Sequence, residues 1–296
     1  MRAVYPVLLC FRIVGLLCLI AVVSCAPQEV LPPQKPATIA VVLGAGASRG
    51  FAHIGALKVL EGNKIPVHMI VGTSAGSFVG SLYAYGFNAF QIQKMALSID
   101  KAEIIDFTVP DNGFIKGEKL EGYVNALVQN TPIEKMRLPF YAIATNIQNG
   151  QEVAFGKGNT GTAVRASCAI PGIFRPVRID KAMYVDGGVV SPVAVDAARR
   201  MGADIVIAVD ISADTEGMQP EGTIETILQS ISIMHSRMSA SQISRADVVI
   251  RPKVGRISAA DFDKRHEAVI EGEKAALEAL PAIQNIMTKL KQSGRL

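Results

Sequence analysis

A glycine-flanked serine between an apolar strand and a helix is the feature that most constrains this chain. Val67–Val71 predicts a buried strand, and Ser77–Tyr85 predicts a helix. Ser74 stands between them, flanked by Gly72 and Gly76. A serine in this position lies on a strained strand-to-helix turn, where its neighbours must be small to avoid collisions. The pattern predicts a nucleophilic serine at the end of a strand; the alternative is a glycine-rich turn without chemistry.

The first 24 residues have the pattern of a secretory leader. Arg2 and Arg12 supply positive charge, and Ile13–Val23 is an apolar run too short to span a bilayer comfortably. We therefore expect residues 1–24 to be a signal peptide that is removed. An ordinary signal peptide and an uncleaved anchor are the alternatives to a lipoprotein leader.

Cys25 indicates a lipoprotein. It follows the small Ser24, as in a bacterial lipobox, in which the cysteine is acylated and becomes the new N-terminus. Residues 25–37 are proline-rich and without periodicity, which is typical of an extended tether. The expected location is the bacterial cell envelope, with the chain lipid-anchored on the periplasmic or extracytoplasmic face.

Composition favours a folded globular domain and gives no indication of nucleic-acid binding. Apolar residues make up 49% of the chain and charged residues 19%, enough for a sizeable core. The net charge of +4 falls to +2 once the leader with its two arginines is removed, which gives no basis for nucleic-acid binding. Cys168 is the one cysteine beyond Cys25, so no internal disulfide framework is expected. We predict that Cys168 is a small buried residue.

A glycine-rich loop follows the first predicted strand, Thr38–Leu43, and precedes a predicted helix, Phe51–Glu61. Small residues leave backbone N–H groups accessible, and the helix N-terminus adds positive potential, so this loop is a candidate oxyanion hole. Gly46 and Ala47 are the expected donors. A dinucleotide site is disfavoured because Arg49 replaces the third glycine. The candidate loop residues are Gly44, Gly46, Ala47, Ser48, Arg49 and Gly50.

The base that would activate the serine has two candidate types. Asp186 follows an apolar strand and is followed by Gly187 and Gly188, a turn from which a carboxylate can reach a neighbouring loop. A plain turn aspartate gives the same pattern. A serine–acid–histidine triad would need His235 or His266, yet both lie in predicted helices without the loop context of a triad histidine.

Several motifs in order resemble the bacterial branch of the patatin-like phospholipase family. They are Ser48-Arg49-Gly50, Gly72–Gly76, Ala169–Phe174, Asp186–Gly188, Ser191–Val193 and Met201–Val209. The resemblance implies that Ser74 is the nucleophile and Asp186 the proton acceptor. It also implies hydrolysis of acyl esters of membrane lipids, with no metal or cofactor. The family's run of glycines is interrupted here by Ala45 and Ala47, so the donor assignment depends on whether the loop dihedrals suit a Cβ.

The alternation of strands and helices predicts an α/β fold with a mostly parallel sheet. The resemblance implies three layers, with helices on both faces of the sheet. We expect a catalytic domain at 38–212 and a mainly helical part, 213–296, packed on the same domain. Helices are predicted at Pro192–Met201 and Asp263–Leu290, the latter with a possible break at Pro281. A catalytically silent lipid-binding scaffold is the competing function.

Overall fold

The computed structural model describes residues 35–109, 112–212 and 219–296. The predicted leader and Cys25 lie outside the described residues, as does the tether up to residue 34. From Pro36 to Leu296 the chain is one compact unit. Among the described residues, no helix combines the length and hydrophobicity that a bilayer-spanning segment needs.

The described residues form a mixed sheet of eight strands. Its parallel part has the order β3-β2-β1-β7-β8, and antiparallel strands are added beside β3. The strands are β1 Ile39–Leu43, β2 Met69–Thr73, β3 Phe140–Asn146, β4 Glu152–Phe155, β5 Val177–Ile179, β6 Ala182–Asp186, β7 Ile205–Val209 and β8 Val248–Ile250.

Helices cover both faces of this sheet. In β1, Ile39, Val41 and Leu43 join the larger apolar cluster, while Ala40 and Val42 join the cluster on the other face. Such strands are apolar throughout because neither face meets water. The helices are α1 Phe51–Gly62, α2 Ala75–Tyr85, α3 Ala89–Ser98, α4 Lys101–Ile104, α5 Glu118–Leu127, α6 Thr160–Ser167, α7 Val195–Arg200, α8 Thr223–Ile243 and α9 Arg265–Gln292. The predicted three-layer α/β fold is confirmed.

Two helix predictions are corrected by tertiary contacts. The helix expected from Pro192 begins only at Val195. The Pro192 carbonyl accepts from the Ala45 N–H, and the Val193 N–H donates to Gln242 Oε1, so both groups are already bonded elsewhere. The possible break at Pro281 does not occur, and α9 continues through it. Pro281 lies on an exposed face of α9, where the carbonyl that it leaves unpaired meets solvent.

Two strands share one edge of β3. Residues 142–143 of β3 pair with both β2 and β4, and residues 144–145 pair with both β6 and β4. Because β4 takes one edge throughout, β2 and β6 must follow each other along the opposite edge. β2 runs parallel to β3 and β6 antiparallel, so their carboxyl ends, Thr73 and Asp186, face each other.

Candidate active site

Ser74 occupies a strained backbone conformation between β2 and α2. Its φ of 55° and ψ of −124° lie where residues other than glycine are rarely found. The Ser74 N–H donates to Ser167 Oγ at 2.9 Å, and the Ser167 hydroxyl donates to the Ile143 carbonyl at 2.6 Å. This pair of bonds ties the strained turn to β3.

Close backbone approaches explain the glycines that flank the serine. A Cβ on Gly76 would lie 2.0 Å from the Leu43 carbonyl oxygen, and one on Gly72 would lie 2.5 Å from the Gly76 carbonyl oxygen. Only glycine, which has no Cβ, fits at either position without moving β1 or α2. The turn therefore depends on both glycines.

Asp186 ends β6 and is positioned through its backbone and one carboxylate oxygen. Its Oδ1 accepts from the Gly188 N–H at 2.7 Å, and its carbonyl accepts from Thr145 Oγ1 at 3.0 Å. A Cβ on Gly187 would lie 2.2 Å from the Ile143 carbonyl oxygen, so this turn also requires glycine. The second carboxylate oxygen, Oδ2, has no hydrogen-bond partner of normal geometry in the described chain.

Burial controls the charge of Asp186. It raises the pKa of this carboxyl to about 7, against smaller lowering effects of the Ser74 hydroxyl and the Gly188 N–H. The Ser74 hydroxyl is thus near enough to influence the carboxyl group, although no well-formed bond joins them. A carboxylate that titrates near neutral pH suits a general base.

Cys168 lies beside the serine, buried as predicted. Its Sγ is 3.7 Å from Ser77 Oγ, and it lines the same cavity as Ser74. Burial raises the pKa of the thiol, and the nearby Asp186 charge raises it further. A thiol that keeps its proton is a poor nucleophile, so Cys168 is a packing residue.

His235 lies closer to Asp186 than its sequence context indicates. His235 lies within a helix, as predicted, but a Cβ on Gly188 would lie 2.4 Å from its Nε2, so the tertiary structure packs this histidine against the turn that follows Asp186. Helix α8 carries it against the turn after β6. In the described chain His235 makes no hydrogen bond to Ser74 or Asp186. Burial, followed by the charge of Arg49, lowers the pKa of His235 to about 4.

Two other histidines lie in different environments. His266 is exposed near the start of α9. His53 is buried and donates from Nε2 to the Gly44 carbonyl at 2.8 Å, and burial lowers its pKa to about 4. The described residues contain no group of three or more His, Cys, Asp or Glu side chains that is arranged to hold a metal ion.

The glycine-rich loop packs directly on the serine turn. A Cβ on Gly50 would lie 2.5 Å from Ala75 Cβ, and one on Gly46 would lie 2.6 Å from Ile211 Cδ1. Ala47 adopts a left-handed φ of 49°, which costs an L-residue about 1 kcal/mol. The N–H groups of Gly46 and Ala47 have no partner in the described chain, whereas those of the preceding two residues bond to neighbouring carbonyls.

The C-terminal part of the chain holds this loop in place. Arg49, which is buried, donates to Ser232 Oγ at 3.1 Å and to the Ile257 carbonyl at 3.4 Å. Ser48 Oγ donates to the Ser258 carbonyl at 2.6 Å. Burial lowers the pKa of Arg49 to about 10, so it is charged at neutral pH. Sequence reasoning missed these supporting residues and Ser167, because isolated serines carry no pattern that indicates a partner so distant in sequence.

An apolar cavity of about 360 Å³ opens beside the serine. Its wall is formed by α1, α2, α3, α5 and the segment before α5, together with the start of α8. Residues that line it include Ser74, Phe78, Leu82, Ile92, Phe107 and Ile224. The cavity has the size and character of a site for an apolar ligand.

Relatives of known sequence each align with about three fifths of the chain. Patatin-like phospholipase domain-containing protein 6 of Mus musculus is 34% identical over 187 residues, or 60% of this chain and 14% of the relative. An uncharacterised NTE family protein of Mycobacterium bovis is 32% identical over 60% of this chain and 50% of its own. Lysophospholipase NTE1 of Scheffersomyces stipitis is 33% identical over 60% and 12%. The chain therefore spans half or less of these relatives.

Solved structures and a family model extend the comparison. VipD of Legionella pneumophila superposes with a TM-score of 0.59 at 12% identity, covering 85% of this chain and 67% of VipD, which is a likeness of fold. The family model described as patatin-like phospholipase matches residues 41–199, more than half of the chain. That stretch contains the serine turn, the glycine-rich loop and Asp186, and the chain belongs to the patatin-like phospholipase family.

Proposed function

We propose that this protein is a serine hydrolase of lipid acyl esters, in which Ser74 is the nucleophile and Asp186 is its base. The observation that carries the proposal is the meeting of two strand ends. It brings the strained serine turn and a buried carboxylate together on one edge of β3. Membership of the patatin-like phospholipase family and the apolar cavity beside Ser74 support a lipid ester as the substrate.

In the first half-reaction, Ser74 Oγ attacks the ester carbonyl while Asp186 accepts the hydroxyl proton. The Oδ1 atom is occupied by the Gly188 N–H, which leaves Oδ2 as the acceptor. The bond between the carbonyl carbon and the leaving oxygen breaks, and the proton on Asp186 passes to the departing alkoxide. In the second half-reaction Asp186 takes a proton from water, whose oxygen attacks the carbonyl carbon of the acyl-enzyme. The bond between that carbon and Ser74 Oγ then breaks, Asp186 returns the proton to Oγ, and the acid is released.

The developing oxyanion requires donors that are not already bonded. The N–H groups of Gly46 and Ala47 fit this need, because neither has a partner in the described chain. The charge of Arg49 and the N-terminus of α2 add positive potential near the loop. Loss of one oxyanion donor typically reduces kcat by about a hundredfold or more.

A triad that uses His235 is the alternative mechanism, and its proximity to Gly188 keeps it testable. Two observations favour the dyad. His235 has no hydrogen bond to either catalytic candidate in the described chain, and Thr73 and Asp186 pair with adjacent residues of β3, which brings the carboxyl of Asp186 to the serine turn. For His266 the structure offers no support, since it is exposed on α9.

We further propose that acylated Cys25 anchors the protein to a membrane of the bacterial cell envelope. Support comes from the lipobox-like sequence and from an apolar cavity suited to a water-insoluble substrate. Metabolic labelling with an alkyne fatty acid tests this proposal. Label is expected in the wild type and absent from Cys25→Ala; equal label in both would refute it.

Labelling with a fluorophosphonate probe tests the catalytic proposal, followed by a panel of lysophospholipid, diacyl phospholipid, triacylglycerol and short-chain ester. The wild type should be labelled and Ser74→Ala should not. Asp186→Asn should lose turnover and keep its fold, while His235→Asn should keep activity within about tenfold. Normal turnover in Asp186→Asn together with its loss in His235→Asn would establish the triad. A folded wild type that neither labels nor cleaves any ester would favour a lipid-binding scaffold.

A further inference from the structure

The apolar cavity follows one face of α2 away from the serine. Ser74, Phe78 and Leu82 line it at intervals of four residues, which is the spacing of one helix face. An α-helix rises 1.5 Å per residue, so the wall from Ser74 to Leu82 is about 12 Å long. A chain bound along this wall would start at the nucleophile and end at Leu82.

The two parts of the cavity wall differ in exposure. Ile54, Leu82 and Ile92 are each at most 2% exposed, so the end at Leu82 is closed by core packing. Phe107 is 75% exposed and Ile224 is 40% exposed, although both also line the cavity. The apolar wall therefore reaches the surface at Phe107 and Ile224 and stops in the core at Leu82.

The length of the wall sets the capacity for one chain. An extended chain advances about 1.2 Å per bond, as the polypeptide backbone does, so a 12 Å wall spans about ten bonds. A chain that starts at the carbonyl beside Ser74 therefore reaches the closed end with about ten to twelve carbons.

We propose that this cavity binds a single acyl chain of up to about twelve carbons and that Leu82, at the closed end, sets the limit. The inference rests on the acyl hydrolase function proposed above. It assigns a specificity-determining role to a core residue two helical turns from the nucleophile. Ile92 of α3 lines the same cavity and belongs to the same buried cluster as Leu82, so it is the second residue that we assign to this end.

Binding of primary alcohols from six to sixteen carbons tests the capacity without requiring turnover. Alcohols are uncharged and displace a fluorescent alkyl probe from the full chain carrying Ser74→Ala. Affinity should rise about fourfold per methylene, the value for burial of one CH₂, up to ten to twelve carbons and then level off. The same break should appear in kcat/KM for p-nitrophenyl esters cleaved by the wild type.

Variants at the closed end should change the break, which is the chain length at which affinity stops rising. Leu82→Ala should move the break to chains about three carbons longer, and the milder Ile92→Val to chains about one carbon longer. Leu57→Ala is the matched control, because Leu57 is equally buried in the same apolar cluster and does not line the cavity. It should leave the break unchanged.

Three outcomes would overturn the inference. One is an affinity that keeps rising up to sixteen carbons in the otherwise unaltered protein. This would mean that the bound chain leaves the cavity past Phe107 and is not limited by Leu82. The second is a break that shifts equally in Leu57→Ala and Leu82→Ala. The third is no length dependence. Failure of the hydrolase proposal is separate, since it appears as absent turnover and labelling while the binding series still shows its break.

Discussion

Thr73 and Asp186 end two strands that approach each other head-on along one edge of β3. Thr73 pairs with Ile143, and Asp186 pairs with Ala144, the next residue of β3. The turn after Thr73 presents Ser74, so a serine and a carboxylate meet at the point where the two strands stop. The sheet itself brings the pair together, and no residue from a separate loop is needed between them.

Hydrolysis should depend on one ionisation near neutral pH. Burial raises the pKa of Asp186 to about 7, and a base must be unprotonated. We expect kcat/KM to fall about tenfold per pH unit below 7 and to level off above it. Its titratable neighbours do not interfere between pH 5 and 9, since the pKa of His235 is about 4 and that of Arg49 is about 10. A flat pH profile over this range, measured with a short-chain ester, would contradict the assignment.

Asp186→Asn should make the protein more stable at pH 8. Burial raises the folded pKa from 3.8 to about 7, so between these values the folded state keeps a proton that the unfolded state has lost. Stability therefore falls as pH rises through this window, by up to about 4 kcal/mol. The amide is neutral and avoids this loss.

Urea unfolding at pH 4 and pH 8 measures the effect. The stability gained by Asp186→Asn should be several kcal/mol larger at pH 8 than at pH 4. Asp196→Asn is the control, because Asp196 is half exposed and its pair with Arg245 is screened by solvent, so its charge has little effect on stability. A difference between the two pH values no larger than that of the control would rule out the buried-charge explanation.

Ser167→Ala should weaken both the fold and the site. Its hydroxyl bridges the Ser74 N–H and the Ile143 carbonyl, and both bonds are lost. An unsatisfied buried group costs about 1–3 kcal/mol, and the strained serine turn loses its tie to β3. We expect a lower unfolding midpoint in urea and a lower kcat.

Ser81→Ala provides the comparison for that variant. Ser81 is also buried in the same region, but its hydroxyl donates only to the Phe78 carbonyl of its own helix. Activity should be close to that of the wild type. Equal losses in the two variants would mean that the bridge made by Ser167 has no special role.

Gly76→Ala should damage the serine turn. The added Cβ would lie 2.0 Å from the Leu43 carbonyl oxygen, so β1 and α2 must separate, at a cost of about 3 kcal/mol. Gly122→Ala is a matched control, because Gly122 lies within α5 with nothing within 4 Å of its Cβ position. Alanine there should raise stability by up to about 1 kcal/mol. Thermal unfolding and fluorophosphonate labelling distinguish the two; similar behaviour would refute the steric explanation.

Local pattern predicted most elements well. β1 and α1 each differ by one residue from the predicted strand Thr38–Leu43 and the predicted helix Phe51–Glu61, since runs of apolar residues and the glycines between them depend on nearby chain only. The serine turn was also visible, because its strain demands glycine on both sides within five residues. Pro192–Met201 failed at its start because Ala45 and Gln242, far away in sequence, bind its first residues.

By itself, the sequence determined the fold class, the serine turn and the candidates Ser74 and Asp186, because each follows from residue types over short spans. Tertiary structure alone decided how these parts meet. The pairing of β2 and β6 along one edge of β3 brings Asp186 to Ser74, and α8 brings His235 against Gly188. It also gave residues 219–296 a role that no pattern indicated, which is to hold Ser48 and Arg49 of the glycine-rich loop. Such contacts join residues up to about two hundred positions apart, and pairing and packing fix them only once the whole sheet has formed.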